Sequence, residues 1–89
     1  MRFDLQLFAE LNLTNQTSAQ LRKGIRTFQK RIAEHFAKID NPEKFCDEWS
    51  QYDDEHREGL LWHWQHEILT FERSIQNRID ELAKRGELP

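Results

Sequence analysis

The sequence predicts an all-α protein, an antiparallel αα-hairpin of two long amphipathic helices joined by a short helical elbow and preceded by an extended N-terminal arm. Three observations lead there. Apolar residues recur at steps of three and four from Leu21 to Ile39 and again from Leu61 to Leu82, the spacing of one helix face. Asn41-Pro42 interrupts the two runs, where a helix has to stop and a new one can begin. The first thirteen residues instead alternate with a period of two, which is strand geometry rather than helix geometry.

The arm comes first. Phe3, Leu5, Leu7, Ala9, Leu11 and Leu13 fill the odd positions, and Arg2, Asp4, Gln6, Glu10 and Asn12 fill most of the even ones. No later segment reads as a second strand. A lone strand leaves its backbone donors and acceptors unpaired, so Phe3, Leu5 and Leu7 are expected to meet a partner or the helices. Thr14-Asn15-Gln16-Thr17-Ser18 reads as linker and helix start, which divides the chain into an arm and linker over 1–16 and a helical domain over 17–89. Thr17 with Gln20 fits a capping box, and Ser18 competes for the N-cap.

The first helix should carry Leu21, Ile25, Phe28, Ile32, Phe36 and Ile39 on one face and end at Asp40, roughly 33 Å from its start. In the elbow, Phe45, Trp49 and Tyr52 fall at i, i+4 and i+7 and can plug one end of a narrow core. The second long helix should begin near Asp53 or Asp54. Its stripe is Leu61, Trp64, Ile68, Phe71, Ile75, Ile79 and Leu82, with Leu60 on the flank. Lys84 and Arg85 complement the dipole at its end, and Gly86 suits the position that follows. Two helices alone bury little, so dimerisation into a four-helix arrangement or docking on a larger surface is expected to complete the core.

Charge is segregated along the chain. Residues 16–40 carry six cations against two anions, whereas residues 41–60 carry two cations against seven anions, within a net charge of −3. Such a chain can attract a second copy or a charged partner. There is no apolar run of membrane-spanning length and no secretory leader pattern. The single cysteine, Cys46, offers no internal disulfide. These features point to an intracellular protein without a membrane partner.

Trp62 and Leu69 are the outliers of the second helix. At 100° per residue they lie about 160° and 140° from Trp64, opposite the seam. Flanked by His66 and Arg73, they make a partner-binding patch, Trp and Arg being frequent hot-spot residues; alternatively the arm or elbow folds across them. His56, His63, His66 and Glu67 have helix-compatible spacings but lack the ligand order of a metal site, so surface histidines are the favoured reading and no metal or cofactor is expected. His35 is expected beside the seam with its ring nitrogens satisfied locally. Cys46 has no base at a recognisable catalytic spacing, and no phosphate-binding loop or nucleophile elbow occurs, so no catalytic residue is assigned. Arg22, Lys23, Arg26 and Lys30 form a basic stripe. Without interleaved aromatics, a solvated face is favoured over direct nucleic-acid binding. Asp47, Glu48, Asp53, Asp54 and Glu55 form an acidic surface that lacks the order of a calcium loop and could occupy a site built for nucleic acid.

The opening Met1-Arg2-Phe3-Asp4-Leu5-Gln6-Leu7-Phe8-Ala9 resembles the start of many proteins encoded in the head-morphogenesis region of phages and prophages of Gram-positive bacteria. The stretch from Asn41-Pro42-Glu43-Lys44 through Gly59-Leu60, Trp64, Glu67-Ile68 and Phe71 to Ile75-Gln76 is similar to small helical segments of such proteins. The resemblance implies a small accessory protein in the cytoplasm of an infected host, or associated with the virion. Its expected partner is a phage structural protein in head assembly or packaging. The acidic surface supports an alternative, a phage-encoded inhibitor of a host defence nuclease of CRISPR or restriction type.

Overall fold

The computed structural model describes residues 13–89, and every element among them is helical. A 3-10 turn at Leu13–Asn15 leads into α1 (Ser18–Asp40). A short α2 (Pro42–Phe45) and a second 3-10 turn (Trp49–Gln51) make the elbow, and α3 (Asp54–Lys84) completes the chain. The expected strand-like arm, with Phe3, Leu5 and Leu7, lies outside the described residues. Leu13, read as its last apolar position, is instead buried in the 3-10 turn, closed by Gln16 N–H on its carbonyl at 3.1 Å.

Local chemistry sets the helix limits. Thr17 caps α1 in a reciprocal box: its hydroxyl accepts from Gln20 N–H at 3.1 Å and its own N–H donates to the Gln20 side chain at 2.8 Å. Asp53 caps α3 by accepting from His56 N–H at 2.8 Å. At the far end Gly86 takes φ +74°, with Gly86 N–H on Ala83 O and Glu87 N–H on Leu82 O, both at 2.9 Å. That is the Schellman arrangement, which needs a left-handed residue where glycine stands.

The long helices α1 and α3 pack against each other. Contacts pair Arg22 with Glu87, Gly24 with Arg78, Phe28 with Phe71 and His35 with Glu67, so they run in opposite directions. Leu13, Leu21, Ile25 and Leu82 form the buried cluster, with Ile75 and Ile79 packed against it. Trp64 and Ile68 are buried nearer the elbow. The extents are 50 × 31 × 15 Å and the radius of gyration is 16.2 Å, against about 12 Å for a compact domain of this length. This is a single layer of two helices.

Polar side chains occupy places on the seam that the apolar pattern did not assign. His35, Ser74, Arg78 and Glu81 are buried, whereas Phe36 is 55% exposed. Two successive four-residue steps, from Phe28 through Ile32 to Phe36, rotate about 80° past the helix repeat, which brings His35 to the seam instead. Arg78 fits because Gly24 faces it. A Cβ there would stand 2.7 Å from Arg78 Nε. The guanidinium lies 4.8 Å from the Phe28 ring centroid and donates to Ser74 O at 2.9 Å.

Each end of the layer is tied by an arginine. Arg85 donates to the Leu13 and Thr14 carbonyls at 3.2 and 3.4 Å, to Ser18 Oγ at 3.2 Å and to Glu81 at 3.2 Å, while Ser18 donates to Glu87. At the elbow, Arg57 donates to Trp49 O at 2.9 Å and Ser50 O at 3.1 Å, and its guanidinium covers the Trp49 ring at 5.5 Å. Trp49 in turn stacks on Trp64 at 6.4 Å and 17°. Of the three elbow aromatics, Trp49 closes the core. Phe45 is exposed, and Tyr52 stacks on His56 at 4.1 Å.

Candidate protein-contact surface

The seam geometry of α3 fixes what its opposite face presents. With Trp64 and Ile68 turned into the layer, Trp62 and Leu69 are directed away from it, 62% and 60% exposed. His66 and Arg73 are exposed beside them. The Trp62 indole stacks on His66 at 4.8 Å and 13°, which holds the large ring flat along the helix and restricts the rotamers it would lose on binding. The predicted patch of Trp62, His66, Leu69 and Arg73 is therefore one continuous face. Among the described residues the elbow does not cover it, because Trp49 is engaged with Trp64 and Arg57.

This face extends beyond the residues that helix spacing assigns to it. Leu69 also lines a groove of about 330 Å³ between α1 and α3, together with Phe36, Ile39, Ile68, Gln65 and Glu72. The groove is apolar along its floor, with polar groups supplied by α3. The drift that takes Phe36 off the seam is the sequence signal that could have found it. A ridge at Trp62 and a hollow at Leu69 thus sit about two helical turns apart on one surface, roughly 10 Å by the helical rise.

The acidic surface is arranged differently. Asp47, Glu48, Asp53, Asp54 and Glu55 are all exposed around the elbow, but several have local duties. Asp53 is the N-cap of α3, and Asp54 and Glu55 lie in its first turn, where negative charge complements the helix dipole. Glu48 accepts the Tyr52 hydroxyl at 3.0 Å. That bond, followed by Cys46 nearby, pushes the Tyr52 phenol up from 10.0 to about 12.

The histidines are also accounted for by packing. His35 brings Nδ1 to Arg31 O at 2.8 Å and Nε2 to the Glu67 carboxylate at 2.5 Å, with its ring edge on Phe71 at 5.1 Å. Only half of its expected local satisfaction holds, since the second partner comes from α3. His63 meets the other oxygen of Glu67. Among the described residues, no group of three or more His, Cys, Asp or Glu side chains is placed to hold a metal ion, and no helix is long and apolar enough to cross a membrane. In the basic stripe, Arg22 is turned to the C-terminal segment, donating to Leu88 O at 3.0 and 3.2 Å; Lys23, Arg26 and Lys30 are exposed.

No protein-family model, curated protein or solved structure matches the chain.

Proposed function

We propose that this chain is a small non-enzymatic adaptor of phage or prophage origin that acts by protein–protein binding in head assembly or packaging. It works as a helical hairpin in the cytoplasm of the infected host or on the virion. The observation that carries the reading is the outward face of α3. Trp62 and Leu69 are both more than half exposed, and Leu69 continues into an apolar groove. A helix that buries Trp64 and Ile68 on its inner side while exposing Trp62 and Leu69 on its outer side is built to be completed by another protein. Phe3, Leu5 and Leu7 are the second set of contact residues in this reading.

The test is a double substitution, Trp62→Ala with Leu69→Ala. Neither side chain is buried in the seam, so the variant should keep its helix content while capture of phage head or packaging proteins falls at least tenfold. Loss of helicity would place these residues in the core and remove the reading. The nuclease-inhibitor alternative rests on the five exposed carboxylates of the elbow. It is the weaker reading because capping and the Tyr52 bond already explain Asp53 and Glu48. Charge reversal at Asp47 and Asp54 would abolish inhibition in that case and leave an adaptor unaffected.

A further inference from the structure

Resting on the reading of this face as a protein contact, we propose that a second copy of the same chain occupies it, related by a two-fold axis that crosses α3 near Gln65 and His66, so that the dimer is the species that engages the phage partner. Taking Trp64 as reference, 100° per residue places Glu58, Trp62, Leu69 and Arg73 within about 120–180° of the seam, and all four are exposed. Read along the helix, the order is an anion, a large ring, an apolar hollow and a cation. The anion precedes the ring by four residues, and the cation follows the hollow by four.

An antiparallel pairing of two α3 helices about the midpoint between Trp62 and Leu69 makes this order self-complementary. The Trp62 ring of each copy comes opposite Leu69 of the other, where the groove lined by Phe36, Ile39, Ile68 and Leu69 has room for an aromatic side chain. In the same register Glu58 of each copy faces Arg73 of the other. Every contact occurs twice, as an isologous interface demands. A parallel pairing, by contrast, would stack Glu58 on Glu58 and Arg73 on Arg73. The pairing also gives α3 a second helical neighbour on the side away from α1, so that apolar side chains are covered on both sides of that helix.

Sedimentation equilibrium on the full chain tests this from micromolar to millimolar concentration, with circular dichroism confirming that each variant folds. The wild-type chain is expected to dimerise, and Trp62→Ala is expected to weaken the dimer at least tenfold. Glu58→Arg alone and Arg73→Glu alone each place like charges opposite one another twice, so each should weaken it by a similar factor. The combination Glu58→Arg with Arg73→Glu should restore association to within a few-fold of wild type. A chain that stays monomeric throughout overturns the proposal, as does a dimer insensitive to either single reversal or not rescued by the double one. A monomeric chain whose capture of phage proteins still depends on Trp62 and Leu69 would overturn the self-pairing while leaving the adaptor reading intact. A rescued dimer that captures no phage protein would do the reverse.

Discussion

Replacing Gly24 with alanine gives the sharpest test of how the seam is packed, because two effects of opposite sign meet there. In an open helix interior the change stabilises by about 1 kcal/mol, since glycine loses more backbone freedom than alanine on folding. Here the new Cβ would stand 2.7 Å from Arg78 Nε and 3.1 Å from its Cδ. The guanidinium is not free to swing clear. It is buried against Phe28 and holds the Ser74 carbonyl. Displacing it forfeits part of a charge-assisted hydrogen bond worth about 1.5–3 kcal/mol and of a ring contact worth about 0.5–2 kcal/mol. The net expectation is a loss of about 1–2 kcal/mol, and the melting temperature should fall by about 4–8 °C per kcal/mol in a domain this small. Urea titrations followed by tryptophan fluorescence and circular dichroism would measure it. In an Arg78→Ala background the obstruction is gone, and the same Gly24→Ala change should stabilise by about 1 kcal/mol. Stabilisation by Gly24→Ala in the wild-type chain, or equal effects in the two backgrounds, would refute the packing of Arg78 over Gly24.

Other consequences follow from the same geometry. Tyr52 is the single tyrosine, so its tyrosinate absorbance reads one group. The midpoint should lie near 12 in the folded chain, chiefly through the Glu48 bond, and should drop in Glu48→Gln and in denaturant. Because the folded pKa is raised, this pairing supports the fold fully below the unfolded tyrosine value and is lost as pH rises through about 12; equal midpoints in folded and denatured chains would contradict it. Gly86→Ala forces a side chain into a left-handed φ of +74° and should destabilise by about 1–2 kcal/mol, read as a lower urea midpoint; no change would mean the Schellman end does not constrain the chain. His35→Ala removes a buried ring that bonds Arg31 and Glu67 and packs on Phe71. It should lower stability by about 2–4 kcal/mol; a change under about 0.5 kcal/mol would show that the ring does not hold the helices together.

The features legible in the sequence are those decided within a few residues. Thr17 with Gln20, Asp53 ahead of α3, the Asn41-Pro42 stop and Gly86 all act through their own backbone neighbourhood, and each could be placed from spacing alone. Trp62 and Leu69 were legible as outliers because a helix angle needs no partner. Burial of His35, Arg78 and Glu81 was not legible, since it depends on what faces them across the seam. A histidine becomes a core residue when Glu67 stands opposite, and an arginine does so when Gly24 makes room. Phe36 misled for a related reason, as a repeat of fours fits an apolar pattern while drifting off a real helix face. Leu13 kept the parity of the arm yet belongs to the helical end, where the Arg85 guanidinium takes up its carbonyl. Arg57 looked like one charge among many until the elbow carbonyls closed on it.

The proposed working contact is the outward face of α3. The most direct measurement compares tagged wild-type chain with the Trp62→Ala, Leu69→Ala variant in affinity capture from phage-infected host lysate, with bound proteins identified by mass spectrometry. Phage head or packaging proteins should be retained by the wild type and lost from an equally helical variant. Retention of the same proteins by both chains, or capture of a host nuclease whose binding depends on Asp47 and Asp54, would contradict it.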